Sequence, residues 1–160
     1  MRFVVDGMLG KLARWLRMLG QDVEYDSERS DDALLDLAEK ERAVILTRDE
    51  ELHRRANARQ VLGLLVTGEH EEVRLAEVAR EYGIPLTINM SLTKCPMCGA
   101  SLTKASKLEL GTRVPQASLR LYDEFWRCEG SSCGKIYWMG SHWKQIESTL
   151  AHARKLLEET

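Results

Sequence analysis

Hydrophobic positions in the first part of the chain switch repeatedly between two periods. Phe3-Val4-Val5 is a short unbroken apolar run and predicts a buried strand. Met8, Leu9, Leu12, Ala13, Leu16 and Leu19 then recur at helical spacing, and Gly20 follows as a C-terminal cap. Asp22 to Tyr25 fits a short second strand. Ser30 opens Ser-Asp-Asp-Ala-Leu-Leu-Asp-Leu-Ala as an N-cap with acids in the first turn, where the helix dipole favours them. Ala43 to Thr47 is a β-branched run that predicts a third strand, followed by a helix over Glu50–Ala58. Val61–Val66 predicts another strand, and Glu71–Tyr82 another helix ended by Gly83. Alternation at this spacing predicts an α/β fold: an open, mostly parallel sheet with helices on both faces. No internal repeat and no low-complexity segment interrupts it.

Beyond this region the pattern changes. All four cysteines lie in the C-terminal part, as Cys95-Pro-Met-Cys98-Gly and Cys128-Glu-Gly-Ser-Ser-Cys133-Gly. The charge changes sign at the same place, net -5 over residues 1–93 and net +3 over residues 94–160. A domain boundary is therefore expected near Ser91–Lys94. Two tight pairs, each followed by glycine, suit tetrahedral thiolate coordination of zinc, because each turn aims backbone N–H groups at the sulfurs. Four thiolates leave no open position, so this zinc would fold the module and catalyse nothing. The 29 residues between Cys98 and Cys128 are enough for a small β excursion.

Tyr137, Trp138 and Trp143 crowd the second pair. They either cover the metal site or offer a surface on which bases stack. His142 is a spare ligand beside a shell that four cysteines already fill. Ser141 has the character of an N-cap. Trp143, Ile146, Leu150, Ala153 and Leu157 then form a seam of a terminal amphipathic helix that would dock on the module or on a partner.

In parallel sheets, function collects at the carboxyl ends of the strands. That rule singles out Asp6 after the first strand, Asp31 at the helix entered from the second, and Asp49 after the third. Each has a local explanation: Asp6 as a turn residue, Asp31 as a first-turn acid, Asp49 as a cap. Three carboxylates gathered at one edge repel one another, an arrangement tolerated mainly around a divalent cation, and hard oxygen donors suit Mg²⁺ or Mn²⁺. Lys11, Arg14 and Arg17 step along the first predicted helix beside Asp6, either as a solvated face or as a phosphate clamp. Arg48 is a further candidate.

Composition narrows the classes. The 160 residues are 44% apolar and 30% charged, ordinary globular values, so wholesale disorder is not expected. A net charge of -2 rules out nucleic-acid binding by bulk positive charge, though not by a local basic face. The longest apolar stretch, Val61–Val66, is far short of the roughly 20 residues a membrane span needs. Asp6 ends the first apolar run before an h-region of about 7–15 residues could form. A cytoplasmic chain with reduced thiols is expected, which favours metal ligation over disulfides.

These motifs carry a resemblance. Phe3-Val-Val-Asp6-Gly-Met-Leu-Gly-Lys11-Leu-Ala-Arg14-Trp-Leu-Arg17-Met-Leu-Gly20, Ser30-Asp31-Asp32 and Leu46-Thr47-Arg48-Asp49 resemble the Mut-seven C-terminal RNase family. So do Cys95-Pro-Met-Cys98, Phe125-Trp-Arg-Cys128 and Tyr137-Trp-Met-Gly-Ser-His142-Trp. The resemblance covers nearly the whole chain. It implies a PIN-like nuclease domain over residues 1–93 and a zinc ribbon with terminal helix over 94–160. It further implies that Asp6, Asp31 and Asp49 bind catalytic Mg or Mn, and that the substrate is single-stranded or structured RNA. Lys11, Arg14, Arg17 and Arg48 would then hold phosphates. PIN-type sites usually recruit a fourth acid; Asp32, Glu50, Glu69 and Glu71 are the candidates. Two other readings use the same residues: a non-catalytic RNA- or ribonucleoprotein-binding module, and a protein-interaction adaptor working through the C-terminal helix.

Overall fold

The computed structural model describes residues 1–159. Strands β1 (Arg2–Val5), β2 (Asp22–Tyr25), β3 (Val44–Thr47) and β4 (Gly63–Leu65) form one parallel sheet in the order β2-β1-β3-β4. Helices α1 (Gly10–Met18), α2 (Asp31–Glu41), α3 (Glu50–Ala58) and α4 (Glu71–Tyr82) connect and follow them, and a turn of 3-10 helix over Gly7–Leu9 leads into α1.

Strand residues alternate between faces, and both faces are covered. Phe3, Val5 and Leu46 pack under α1 and α4, while Val4 and Ile45 pack under α2 and α3 through Leu34, Leu35, Leu52 and Ala56. This accounts for the unbroken apolar runs in β1 and β3: neither face meets water. Ser30 caps α2, its hydroxyl accepting from the Ala33 N–H at 3.2 Å. Gly20 and Gly83 take positive φ just past α1 and at the end of α4, as their spacing predicts.

The cysteine region forms a second sheet. Strands β5 (Leu102–Ala105), β6 (Phe125–Cys128) and β7 (Ile136–Tyr137) pair antiparallel in the order β5-β6-β7. The excursion between Cys98 and Cys128 is not purely β, as the sequence reading expects. It carries two short helices, α5 (Lys107–Leu110) and α6 (Gln116–Leu121). A reciprocal capping box between Ser106 and Glu109 starts α5. Leu110 and Val114 pack with Phe125 into a small core of their own.

Helix α7 (Trp143–Glu158) closes the chain. Its N-cap is His142, with no side-chain bond, so Ser141 does not cap it. The apolar seam of α7 turns back onto α4: Leu150 and Ala153 are fully buried in the core that holds Phe3 and Leu12, with Ile146 and Leu157 packed beside them. Arg154 Nη1 donates to the Leu86 carbonyl at 2.6 Å and fixes the docking.

The two sheets meet at the C-terminal end of α1. The Lys94 N–H donates to the Arg17 carbonyl at 2.9 Å, and the Thr93 hydroxyl donates to the Met18 carbonyl at 2.9 Å. Arg17 itself is buried, with 6% exposure. Its Nη2 donates to the Val23 carbonyl at 2.9 Å and its Nη1 to the Pro96 carbonyl at 3.2 Å.

Replacing this guanidinium leaves buried carbonyls without donors. Arg17→Met is expected to cost about 2–4 kcal/mol, a fall in Tm of roughly 5–15 °C. Lys11→Met on the exposed side of the same helix should stay within about 0.5 kcal/mol. Thermal melts of both variants check this; equal melts would sink the role given to Arg17.

Candidate functional site

The sheet order has a switch point. From β1 the chain moves outward to β2, then crosses back to β3 on the other side of β1. Crevices in open parallel sheets lie at this point, outside the carboxyl ends of the strands. Asp6 directly follows β1, and Asp49 lies two residues after β3. Asp31 is the first residue of α2. The topology therefore brings all three sequence-singled aspartates to one edge.

Thr47, the last residue of β3, joins two of them. It is fully buried, its hydroxyl donates to Asp6 Oδ2 at 2.7 Å, and its oxygen accepts the Asp49 N–H at 3.0 Å. One carboxylate oxygen of Asp49 caps α3, accepting from the N–H groups of Glu51 and Leu52 at 2.8 and 3.2 Å. Asp49 is thus the helix cap its position suggests, and its other oxygen is left for the edge. Tyr25 holds the loop after Asp6 by donating to the Gly7 carbonyl at 2.7 Å. A Cβ at Gly10 would lie 2.8 Å from that hydroxyl, so a larger residue there would have to push the tip of the Tyr25 ring aside. Sequence reasoning gave Thr47 and Tyr25 no role. A hydroxyl in the residue that ends a buried strand is the signal that could have found Thr47.

The three carboxylates interact. Partial desolvation, followed by the Asp6 and Asp49 charges, pushes the Asp31 carboxyl above its ordinary value of 3.8, and Arg55 only partly offsets them. Their oxygens stand further apart than a closed ligand cage. Among the described residues, donor atoms converge within 4.8 Å of one another in the four-cysteine group.

Of the fourth-acid candidates, Asp32 is taken by an ion pair with Arg55, and Glu50 and Glu69 are exposed. Glu71 Oε2 is buried without a hydrogen-bond partner, while Oε1 faces Arg74 Nη1 at 3.4 Å.

The basic residues separate. Lys11 and Arg14 are exposed and carry no side-chain bond or ion pair among the described residues. Arg17 is not part of that face. At 100° per residue it lies about 120° around α1 from Lys11, which turns it inward to the carbonyls described above. Arg48 is half-buried and donates to the Gly68 carbonyl, which also accepts from Arg74 Nε at 2.8 Å. It braces the β4–α4 loop instead of standing free.

The cysteines form the second site. Sγ atoms of Cys95 and Cys133 lie 3.8 Å apart, and those of Cys98 and Cys128 lie 3.3 Å apart. A zinc tetrahedron with Zn–S bonds of about 2.3 Å has edges of about 3.8 Å, so the donor set could hold zinc. The Tyr137 hydroxyl lies 3.0 Å from Cys95 Sγ, and the Gly130 N–H donates to Cys128 Sγ at 3.3 Å. Burial opposes the Cys95 thiolate, but Tyr137 and the N–H groups of Cys98 and Met97 outweigh it and bring its pKa down to about 7. Burial holds Cys128 up at about 12. A dication among the sulfurs overrides both and deprotonates them.

The raised Asp31 carboxyl fixes a sign. The folded state binds a proton more tightly there than the unfolded chain, so stability falls as pH rises from 3.8 through the raised value. Asp31→Asn should therefore melt higher than wild type at neutral pH, with the gap closing below 3.8. Melts of both proteins across pH check this; a gap independent of pH would mean that repulsion is not its source.

The family model described as Mut7-C RNAse domain matches residues 1–150. None of the curated proteins and none of the solved structures matches the chain. With the match spanning both the sheet and the cysteine module, the chain belongs to the Mut7-C RNAse domain family.

Proposed function

We propose that the protein is a divalent-metal-dependent ribonuclease whose reaction centre is the acidic edge at the switch point. The observation that carries this reading is a Mut7-C RNAse domain match over residues 1–150 in a chain whose sheet order brings Asp6, Asp31 and Asp49 to one edge. Carboxylates held against their own repulsion suit a site completed by a cation, and hard oxygen donors suit Mg²⁺ or Mn²⁺. Asp6, Asp31 and Asp49 would be its ligands. Such an ion, when bound, supplies Lewis-acid stabilisation of a phosphate and a nucleophilic water near neutral pH.

The chain's own residues do the positioning. Thr47 sets Asp6 and Asp49 relative to each other through one hydroxyl. Lys11 and Arg14, exposed and unpaired, would hold phosphates beside the edge. The four cysteines would hold a closed structural zinc that keeps the β5-β6-β7 sheet folded.

A binding module that does not cut is the second reading, favoured by carboxylates that are not drawn into a cage. The adaptor reading has less room, because the apolar seam of α7 is spent on α4.

Cleavage of labelled single-stranded and hairpin RNA by zinc-loaded protein in Mn²⁺ tests the proposal. Asp6→Asn and Asp49→Asn should each lower the rate about 10²-fold or more while melting no lower than wild type, since asparagine keeps the Thr47 bond and the α3 cap and relieves part of the repulsion. Lys11→Ala with Arg14→Ala should weaken RNA binding and flatten its salt dependence, by about one unit of slope per phosphate contact. Binding without cleavage in the wild-type protein would select the second reading.

A further inference from the structure

A cavity of about 150 Å³ lies at the far end of α1 from the acidic edge, where α1, the segment before Cys95, the second sheet and the start of α7 meet. Met18 and Thr93 line one side. Trp126, Tyr137, Trp138, His142 and Trp143 line the cavity too, among apolar side chains such as Ile88, Leu102 and Ile146. Phe125 is buried 5.8 Å from the Trp138 ring and supports it from behind.

We infer that this cavity takes one nucleobase of an RNA strand running along the exposed face of α1 to the acidic edge. The inference rests on the ribonuclease reading for its polymer and on the cavity for its base. Four observations carry it. A cavity of about 150 Å³ has room for one six-membered aromatic ring, which is the size of a pyrimidine. Part of the lining is aromatic, and a base stacks on such faces whatever its edge pattern. Trp126 is 93% buried, yet the indole N–H groups of Trp126, Trp138 and Trp143 find no protein acceptor among the described residues and are left to solvent. Base carbonyls and ring nitrogens are acceptors of the kind these donors lack.

The fourth observation is the route. At 100° per residue, Lys11, Arg14 and Met18 fall within a sector of about 60° on α1. Lys11 and Arg14 are exposed along it, and Met18 ends it at the cavity wall. Nine helical residues separate the two ends, about 13 Å, or about four stacked phosphate steps. The same helix thus presents two free cations between a base-sized pocket and the carboxylates. The module that carries most of the pocket has net +3 from its side chains, reduced to about +1 once four thiolates and a zinc dication are counted, so it does not repel a polyanion.

The test uses the full, zinc-loaded chain without Mn²⁺, so that nothing is cut. The probes are a short oligouridylate and an abasic ribose-phosphate oligomer of the same length, with binding read by tryptophan quenching. The oligouridylate should bind about tenfold tighter or more. Trp143→Leu should erase the difference and leave abasic binding unchanged. A 5-bromouridine version should crosslink to Trp138, His142 or Trp143 in the wild-type protein, which keeps the test independent of how the variant folds. Equal affinity for the two oligomers, or crosslinks confined to residues outside the cavity, overturns the pocket while leaving the ribonuclease reading intact. Binding of neither oligomer overturns both. Displacement of a pocket-bound environment-sensitive dye by a leucine-rich amphipathic peptide, but not by the oligouridylate, overturns it in favour of a protein partner.

Discussion

One buried guanidinium ties the molecule together. Arg17 reaches from α1 across to β2 through the Val23 carbonyl and to the first cysteine turn through the Pro96 carbonyl. Burial disfavours its charge, and the neighbouring Cys98, Glu24 and Cys95 work to keep it. A buried cation without partners would be expelled or neutralised, so those acceptors must stay in place around it. Gly99 shows how closely they fit: it takes φ +82°, and a Cβ there would lie 3.1 Å from Arg17 Nε. The parallel sheet and the cysteine turn are therefore packed as one object, with the carbonyls of Arg17 and Met18 closed by Lys94 and Thr93.

That junction sets the layout of everything functional. Helix α1 starts beside Asp6 and ends at the cysteine turn, so it separates the two sites by its own length. One end of the helix faces a carboxylate edge whose members repel each other; the other faces the cysteine turn, where N–H groups and Tyr137 favour the Cys95 thiolate. Docking α7 onto α4 completes the arrangement, because the first turn of α7 then supplies a wall to the cavity at the junction.

Much of this is legible in the residues, for reasons that are local. Strand and helix periods locate β1 to β4 and α1 to α4, since a strand covered on both faces must be apolar throughout. Ser30 and Asp49 announce their caps, because a side-chain oxygen one residue before a helix has one favourable use. The Cys-x2-Cys and Cys-x4-Cys spacings mark the sulfur cluster, because short turns hold such pairs together in any surrounding fold. The helices inside the Cys98–Cys128 excursion were hidden: four- and six-residue helices have too few turns to show a period.

The sequence by itself determined the alternation of elements, the cysteine quartet and the placing of Asp6, Asp31 and Asp49 at strand exits, because each depends on near neighbours along the chain. Only the tertiary structure decided what those residues meet. Arg17 shares its spacing with Lys11 and Arg14, yet turns inward because acceptors from β2 and the cysteine turn arrive on its side of α1. Asp32 is drawn to Arg55 from the next helix, and Thr47 reaches Asp6 across 41 residues of chain and ties it to Asp49. The seam of α7 could have faced a partner, but α4 offers it a larger apolar surface than water does. Long-range contacts of this kind depend on which elements lie side by side, and that follows from how the sheet is ordered, not from any local pattern.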